Sequence, residues 1–247
     1  MKSALHRLRR IVNRYVATGN LRGSPSQTVE RLFGGKECFF VQVGANDGIR
    51  GDPLRRLILA NPRWRGIFIE PLDEVFRLLV SNYGASDRFA CERVAISETN
   101  EERLLYYVAQ ATIRETGLPA GFDAINSFSR EHILMHLSRR HRKGALAKAP
   151  EAYISSRMVR CERLPSVLDH HRVSHIDVFC VDTEGYDYQV VRQIDFKKFR
   201  PKLILYEHCN LSSADQSSLA QLLSKEGYRL ANYGQLDTMA VRRGRSN

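Results

Sequence analysis

The chain has 247 residues, of which 43% are hydrophobic and 26% charged, the profile of an ordinary globular protein long enough for a sizeable core. No run approaches the ~20 apolar residues needed to cross a bilayer, and MKSALHRLRRIVNRYV has no continuous apolar centre or small-residue cleavage site, so it does not read as a secretory signal. The formal charge of +11 is concentrated: residues 1–35 carry seven Lys/Arg against one acid and residues 128–163 nine against three, leaving the remainder near neutral. Such segments are either solvated faces or contacts for an acidic partner, whether anionic lipid, an acidic substrate or nucleic acid. The five cysteines are odd in number and form no C-x-x-C pair, which predicts thiols in a reducing, cytoplasmic compartment.

Leu5, Leu8, Ile11, Val12 and Tyr15 recur at helical spacing among arginines, which predicts a basic amphipathic helix before Gly19. It is expected to pack on the domain, to lie on a membrane through residues 1–20, or to pair with a second subunit. Residues 1–35 thus form a helix and linker ahead of the main domain, 36–247. From Cys38 strands and helices alternate. Phe39–Val43 is the first strand, Asp52-Pro53 opens a helix, and Gly66–Ile69 is the second strand. A helix from Asp73 to Gly84 carries Val75, Phe76, Leu79, Val80 and Tyr83 on one face, and Phe89–Ile96 is the third strand. Residues 98–107 extend towards a hairpin. A basic insertion at about 108–163 breaks the alternation, with one helix from Arg130 to about Arg142; insertions of this kind serve as lids or substrate platforms. Alternation then resumes: a helix at 165–170, a strand at 176–181, a helix at 188–194, a strand at 203–206 and a helix at 214–225. A closing hairpin, 228–233 and 238–241, ends the pattern.

The first strand breaks into Gly44-Ala45-Asn46-Asp47-Gly48, where Gly44 lets the backbone approach a ligand. The second strand ends at Glu70. A glycine turn after one strand and an acid ending the next is how α/β sheets hold adenosyl or dinucleotide ligands, the acid accepting from both ribose hydroxyls. Asp182 and Glu184 follow the fourth strand, and Glu207 and His208 follow the fifth. Ligands of an open parallel sheet bind at these strand ends.

VQVGANDG, IFIEP, VAIS, HIDVFCVDTEGYDYQVV and PKLILYEH, in that order over Phe39 to Glu207, resemble the FkbM family of S-adenosylmethionine-dependent methyltransferases. Gln42 stands where the family often has Asp, and Asp187 where Glu is common. The resemblance implies a class I methyltransferase fold: a Rossmann-like, doubly wound α/β sheet of seven strands, mostly parallel with an antiparallel last strand. It further implies that Gly44, Asn46, Asp47 and Gly48 line the methionine end of S-adenosylmethionine, Glu70 its ribose, Ala95 and Ile96 its adenine, and Asp182 its sulfonium and amino group. Asp182, Glu184 and His208 are the expected catalytic residues, assisting deprotonation of an acceptor hydroxyl on a sugar, glycan or lipid-linked metabolite.

Two other classes share parts of this pattern. A nicotinamide-dependent oxidoreductase lacks support, because neither G-x-G-x-x-G nor a Tyr-x-x-x-Lys pair is present. A non-catalytic RNA- or membrane-binding module would use the two basic segments, but it leaves the loop and Glu70 unexplained. His132 and His136 lie four apart on the predicted helix, a zinc-like spacing; with no H-E-x-x-H and no third ligand evident, no metal is expected.

Overall fold

The computed structural model describes residues 25–84, 86–119, 121–141, 146, 148–233 and 235–243; the basic helix expected before Gly19 lies outside them. The chain divides into two compact units, residues 1–99 with 162–247, and residues 100–161.

The first unit is built on a seven-stranded sheet. Its strands are β1 (Cys38–Val43), β2 (Trp64–Ile69), β3 (Phe89–Glu92), β8 (Val178–Val181), β9 (Leu203–Glu207), β10 (Tyr228–Tyr233) and β11 (Asp237–Arg242), in the order β10-β11-β9-β8-β1-β2-β3. β3, β2, β1, β8 and β9 are parallel neighbours, whereas β11 runs antiparallel to both β9 and β10. Strands buried on both faces need near-continuous apolar runs, and β1, β2, β8 and β9 have them, interrupted by Gln42, Arg65 and the terminal Glu207. Val41 and Val43 join Ile67, Ile69, Phe179, Val181, Ile204 and Tyr206 in one core. Cys38 and Phe40 join Phe68, Val178, Cys180, Leu203 and Leu205 in the other. Trp64, fully buried, meets Phe33 edge-on at 6.2 Å and Phe40 at 6.4 Å.

The helices of this unit are α1 (Pro25–Phe33), α2 (Arg55–Ala60), α3 (Asp73–Tyr83), α6 (Leu164–His170), α7 (Asp187–Val191) and α8 (Ser213–Lys225). Asp52 does not cap α2 directly; its Oδ1 accepts from the backbone N–H of Leu54 and Arg55, closing the turn ahead of a helix whose N-cap is Leu54. On α3, Val75 and Leu79 are buried but Val80 is exposed, so the apolar stripe is narrower than the sequence suggests. α7 begins one residue earlier and ends three residues sooner than expected, because Asp187 is drawn into the core at its first turn. The third strand is not continuous from Phe89 to Ile96. It stops at Glu92, and Ala95–Ile96 form a separate short strand, β4, assigned to the second sheet of the chain.

In the second unit β5 (Glu101–Tyr107) pairs antiparallel with β7 (Ser155–Glu162), from Glu101 opposite Cys161 to Tyr107 opposite Ser155, and with β6 (Asn126–Ser127). Between them lie α4 (Gln110–Thr116) and α5 (Arg130–His141). Val108, Leu118, Ile133, Leu137, Leu146 and Tyr153 form a core of their own. The region read as a basic insertion with one helix is thus a folded unit with its own sheet.

Candidate active site

The carboxyl ends of β1, β2, β8 and β9 carry the polar residues of the first unit. Gly44 has φ +76°, and its N–H donates to the carbonyl of Ile69 at 2.9 Å. A Cβ there would lie 1.8 Å from the backbone oxygen of Asp182, so the loop and the end of β8 touch backbone to backbone and only glycine fits. Asn46 is also left-handed, with φ 49°, a conformation that Asn tolerates because its short side chain bonds locally; its Oδ1 accepts from the N–H of Asp47.

Glu70 is 1% exposed. One carboxylate oxygen accepts from the N–H of Leu72 at 3.0 Å and the other from the N–H of Asn46 at 3.1 Å. The acid therefore ties the end of β2 to the glycine loop, with lone pairs to spare. Burial pushes its carboxyl up to about 7, the two N–H donors offsetting only part of the cost.

Asp47 spends its carboxylate on its own turn. Oδ1 accepts from the N–H of Ile49 and Arg50, and Oδ2 pairs with the Arg50 guanidinium at 2.8 Å. Burial raises its carboxyl, but these donors outweigh it and hold the group below its ordinary range. Gly48 faces α3, where a Cβ would meet Tyr83 at 2.5 Å and Leu79 at 2.8 Å; its smallness serves packing. Gln42 is buried on β1, hydrogen-bonded to Asp52, with its Oε1 unpartnered. Asp52 in turn accepts from Tyr83 Oη at 2.7 Å. Ala95 and Ile96 are both buried, and Ile96 belongs to the same core as Ile67 and Ile69.

At the end of β8, Asp182, Glu184 and Glu207 place carboxylate oxygens within 4.8 Å of one another. Asp182 is exposed at the end of β8, where surrounding protein still strips water from its carboxylate. That desolvation, followed by repulsion from Glu207, Asp187, Glu184 and Asp237, raises its carboxyl well above the usual range. Glu184 sits at φ 51°, an unusual conformation for a residue with a long side chain. Asn210 Nδ2 donates to Glu184 at 2.7 Å and to Glu207 at 2.6 Å, one amide hydrogen to each acid. Glu207 is pushed up to about 7, first by burial and then by Glu184, with Asn210 and Cys209 as opposing donors. Asp187, fully buried, accepts from Thr183 N–H and Oγ1 on one oxygen and from the N–H of Glu207 on the other. It staples the ends of β8 and β9 together, and burial lifts it to about 7.

His208 is engaged elsewhere. Its Nδ1 lies 3.1 Å from Thr238 Oγ1, it also bonds the backbone of Asp237, and burial lowers its ring below the ordinary value. The geometry thus brings Asp182 and Glu184 together, adds Glu207 and Asn210, and turns His208 towards β11. Asn210 carries no motif; only its place three residues beyond Glu207, after the fifth parallel strand, marks it. In the second unit the His132 and His136 rings stand 4.7 Å apart on α5. Among the described residues no helix is long and apolar enough to cross a membrane.

This sheet order, with its one reversed strand and its polar groups at the parallel strand ends, is that of a class I methyltransferase. A family model, the methyltransferase FkbM domain, matches residues 42–230. The chain belongs to the FkbM methyltransferase family, and its cofactor is S-adenosylmethionine. No curated protein matches the chain in sequence. Solved structures similar to it include a ribosomal protein L11 methylase from Lactobacillus delbrueckii subsp. bulgaricus, at 10% identity over 89% of this chain and 77% of that one, TM-score 0.43. A precorrin-6y C5,15-methyltransferase from Geobacter metallireducens is 9% identical over 92% of this chain and 94% of that one, TM-score 0.45. An S-adenosylmethionine-dependent O-methyltransferase from Thermotoga maritima is 8% identical over 93% and 69%, TM-score 0.42. Likeness at this level bears on neither substrate nor mechanism.

Proposed function

We propose that the protein is an O-methyltransferase whose acceptor is a hydroxyl of a sugar, glycan or lipid-linked metabolite. The observation that carries this reading is the pairing of a cofactor cradle with an acid cluster at adjacent strand ends. The cradle suits the cofactor: Gly44 lets the loop lie backbone to backbone on the end of β8, and the Glu70 carboxylate has lone pairs beyond those that the N–H groups of Asn46 and Leu72 use. In this reading Gly44, Asn46, Asp47 and Gly48 shape the loop around the methionine end, with Asp47 acting through its turn. Glu70 holds the ribose, Ala95 and Ile96 flank the adenine, and Asp182 faces the amino group. When bound, S-adenosylmethionine supplies a methyl group already activated by its sulfonium.

The remaining demand on the protein is to orient the acceptor oxygen and take its proton. A carboxylate near pH 7 in its affinity for protons suits that task. Glu207 has that character, Glu184 shares its Asn210 donor, and Asp182 adjoins both. With its ring turned to Thr238, His208 supports the end of β9 and takes no proton in this scheme. The excess positive charge of residues 128–163 supports an acidic moiety on the acceptor. Peripheral membrane contact through residues 1–20 and self-association remain proposals of the same kind.

The test is calorimetric titration with S-adenosylmethionine, NAD and RNA, followed by transfer of a labelled methyl group to neutral, uronic-acid-bearing and lipid-linked glycans. Binding of NAD or RNA with none of S-adenosylmethionine would sink the reading. Label appearing on nitrogen in place of oxygen would overturn the acceptor class alone.

A further inference from the structure

We propose that Glu92, His170 and His171 form a binding site for a transition-metal ion of the zinc type, outside the cofactor cradle and the acid cluster. One donor atom from each residue lies within 4.8 Å of the others. Glu92, the last residue of β3, places Oε1 2.7 Å from Nε2 of His171, and the two imidazole rings stand 4.9 Å apart, nearly perpendicular. Two imidazole nitrogens and one carboxylate oxygen are the donor set of open zinc sites, which keep a fourth position for water. Magnesium and calcium prefer all-oxygen shells, so the set selects against them.

The histidines are held in place by the backbone. α6 ends in a closed turn: His171 N–H donates to Val167, Arg172 adopts φ 51° and donates to Asp169, and Val173 donates to Leu168. Val167, Leu168 and Val173 are buried, which anchors the turn to the core. Side-chain exposures of 21% for His171 and 23% for Glu92 leave both partly shielded, while His170 is exposed, its ring 4.9 Å from that of His171. A tetrahedral ion with bonds of ~2.0–2.1 Å needs donors about 3.4 Å apart. Glu92 and His171 therefore separate slightly, and the His170 ring closes on them.

Such an ion would lock the end of β3 to α6. Among the described residues β3 is an edge strand whose one neighbour in the sheet is β2. The backbone carbonyl of Glu92 accepts the N–H of Glu70 at 3.0 Å, so the clamp sits one peptide away from the buried acid of the cradle.

The test uses tag-free, full-length protein stripped with a chelator and dialysed against Zn2+, with Co2+ as a spectroscopic substitute. One equivalent of Zn2+ bound at micromolar or tighter affinity is expected, together with d–d absorption typical of tetrahedral Co2+. Saturation at a hundredfold excess over Kd should raise Tm by about 5 °C. His170→Ala, His171→Ala and Glu92→Gln should each weaken binding at least tenfold, whereas His132→Ala should leave it unchanged. Lowering the pH should release the ion, since protons compete for the imidazoles. Stoichiometric retention that survives all three substitutions, or no retention in folded wild-type protein, overturns the proposal. The cradle is read separately: S-adenosylmethionine binding by the stripped protein decides that reading whatever the metal does.

Discussion

Glu70→Gln separates the structural role of this acid, which joins the glycine loop to the end of β2, from the ribose-binding role proposed for it. The carboxyl is 1% exposed and raised from an ordinary 4.5 to about 7 by burial. A raised carboxyl binds its proton more tightly in the folded chain than in the unfolded one. Its effect on stability is therefore most favourable below pH 4.5, declines as pH rises from 4.5 to 7, and is flat above. Integrated over that window the decline is about 3 kcal/mol, an upper figure. Glutamine has no charge to bury, but its amide nitrogen cannot accept the N–H that one carboxylate oxygen takes, a cost of about 1–3 kcal/mol at every pH; as pH rises from 4.5 to 8 the stability difference should therefore shift in the variant's favour by up to about 3 kcal/mol, which thermal unfolding across that range reads. The cofactor side runs the other way. Ribose hydroxyls donate to the ionised acid, so binding S-adenosylmethionine pulls Glu70 towards its charged form and expels about half a proton at pH 7. Calorimetry in buffers of different ionisation heat reads that proton directly. In Glu70→Gln the release should vanish and affinity should fall tenfold to a hundredfold, since a charge-assisted hydrogen bond is worth about 1.5–3 kcal/mol. Full affinity in the folded variant, or binding without proton release between pH 6 and 7, would refute the assignment of Glu70 to the ribose.

Gly44→Ala puts a methyl group 1.8 Å from the Asp182 carbonyl at φ +76°; calorimetry should show cofactor binding lost, whereas Gly84→Ala, with open space around it, should keep it. Asp187→Ala removes the buried acceptor of three donors, Thr183 N–H, Thr183 Oγ1 and Glu207 N–H, and denaturant unfolding should report a loss of about 3–5 kcal/mol; a loss below 1 kcal/mol would show that the staple is dispensable. Cys209 is exposed, yet burial of its sulfur, then the Glu207 charge and hydrogen bond, push its thiol up to about 12. Alkylation at pH 8 should be slow for a surface thiol and should speed up in Glu207→Gln, which mass spectrometry can follow; equal rates would mean that Glu207 does not govern it.

What the sequence discloses is whatever is local. Strands buried on both faces announce themselves as apolar runs, so β1, β2, β8 and β9 are legible to within a residue or two. The glycine loop and Glu70 are legible because each follows such a run. Glu70 nevertheless reads from sequence as a ligand-facing acid, when it is also the joint that holds the loop through Asn46 and Leu72. Pairings between distant segments leave no local trace. Glu101 meets Cys161 across the second unit, and nothing near either residue says so. The same holds for Glu92 with His171 and for Asn210 between Glu184 and Glu207. His208 misleads for the opposite reason: it stands at a strand end, where chemistry is expected, but the antiparallel β11 beside β9 supplies Thr238 and draws the ring aside.

The crowding of Asp182, Glu184, Asp187, Glu207 and Asp237 also bears on how the protein distinguishes cofactor from spent product. Close, partly buried carboxylates relieve their repulsion by taking up a proton or by meeting a positive charge. Burial and mutual repulsion raise Asp187 and Glu207 to about 7 and lift Asp182 well above its ordinary range, which favours the protonated route on the acid side of neutrality. As pH rises through 7 the protons leave, and the cluster then favours a cation over a neutral molecule. S-adenosylmethionine carries a sulfonium charge that S-adenosylhomocysteine lacks, while the two share the same adenosine. The ratio of their affinities should therefore rise with pH between 6 and 8, by about tenfold for each 1.4 kcal/mol of electrostatic preference. In a protein carrying both Glu184→Gln and Glu207→Gln the rise should flatten, with adenosine recognition intact. Competition titrations of the two compounds at pH 6, 7 and 8 measure this directly. A ratio that does not change with pH in the wild type would mean that the acid cluster does not sense the sulfonium, leaving it to act on the acceptor alone.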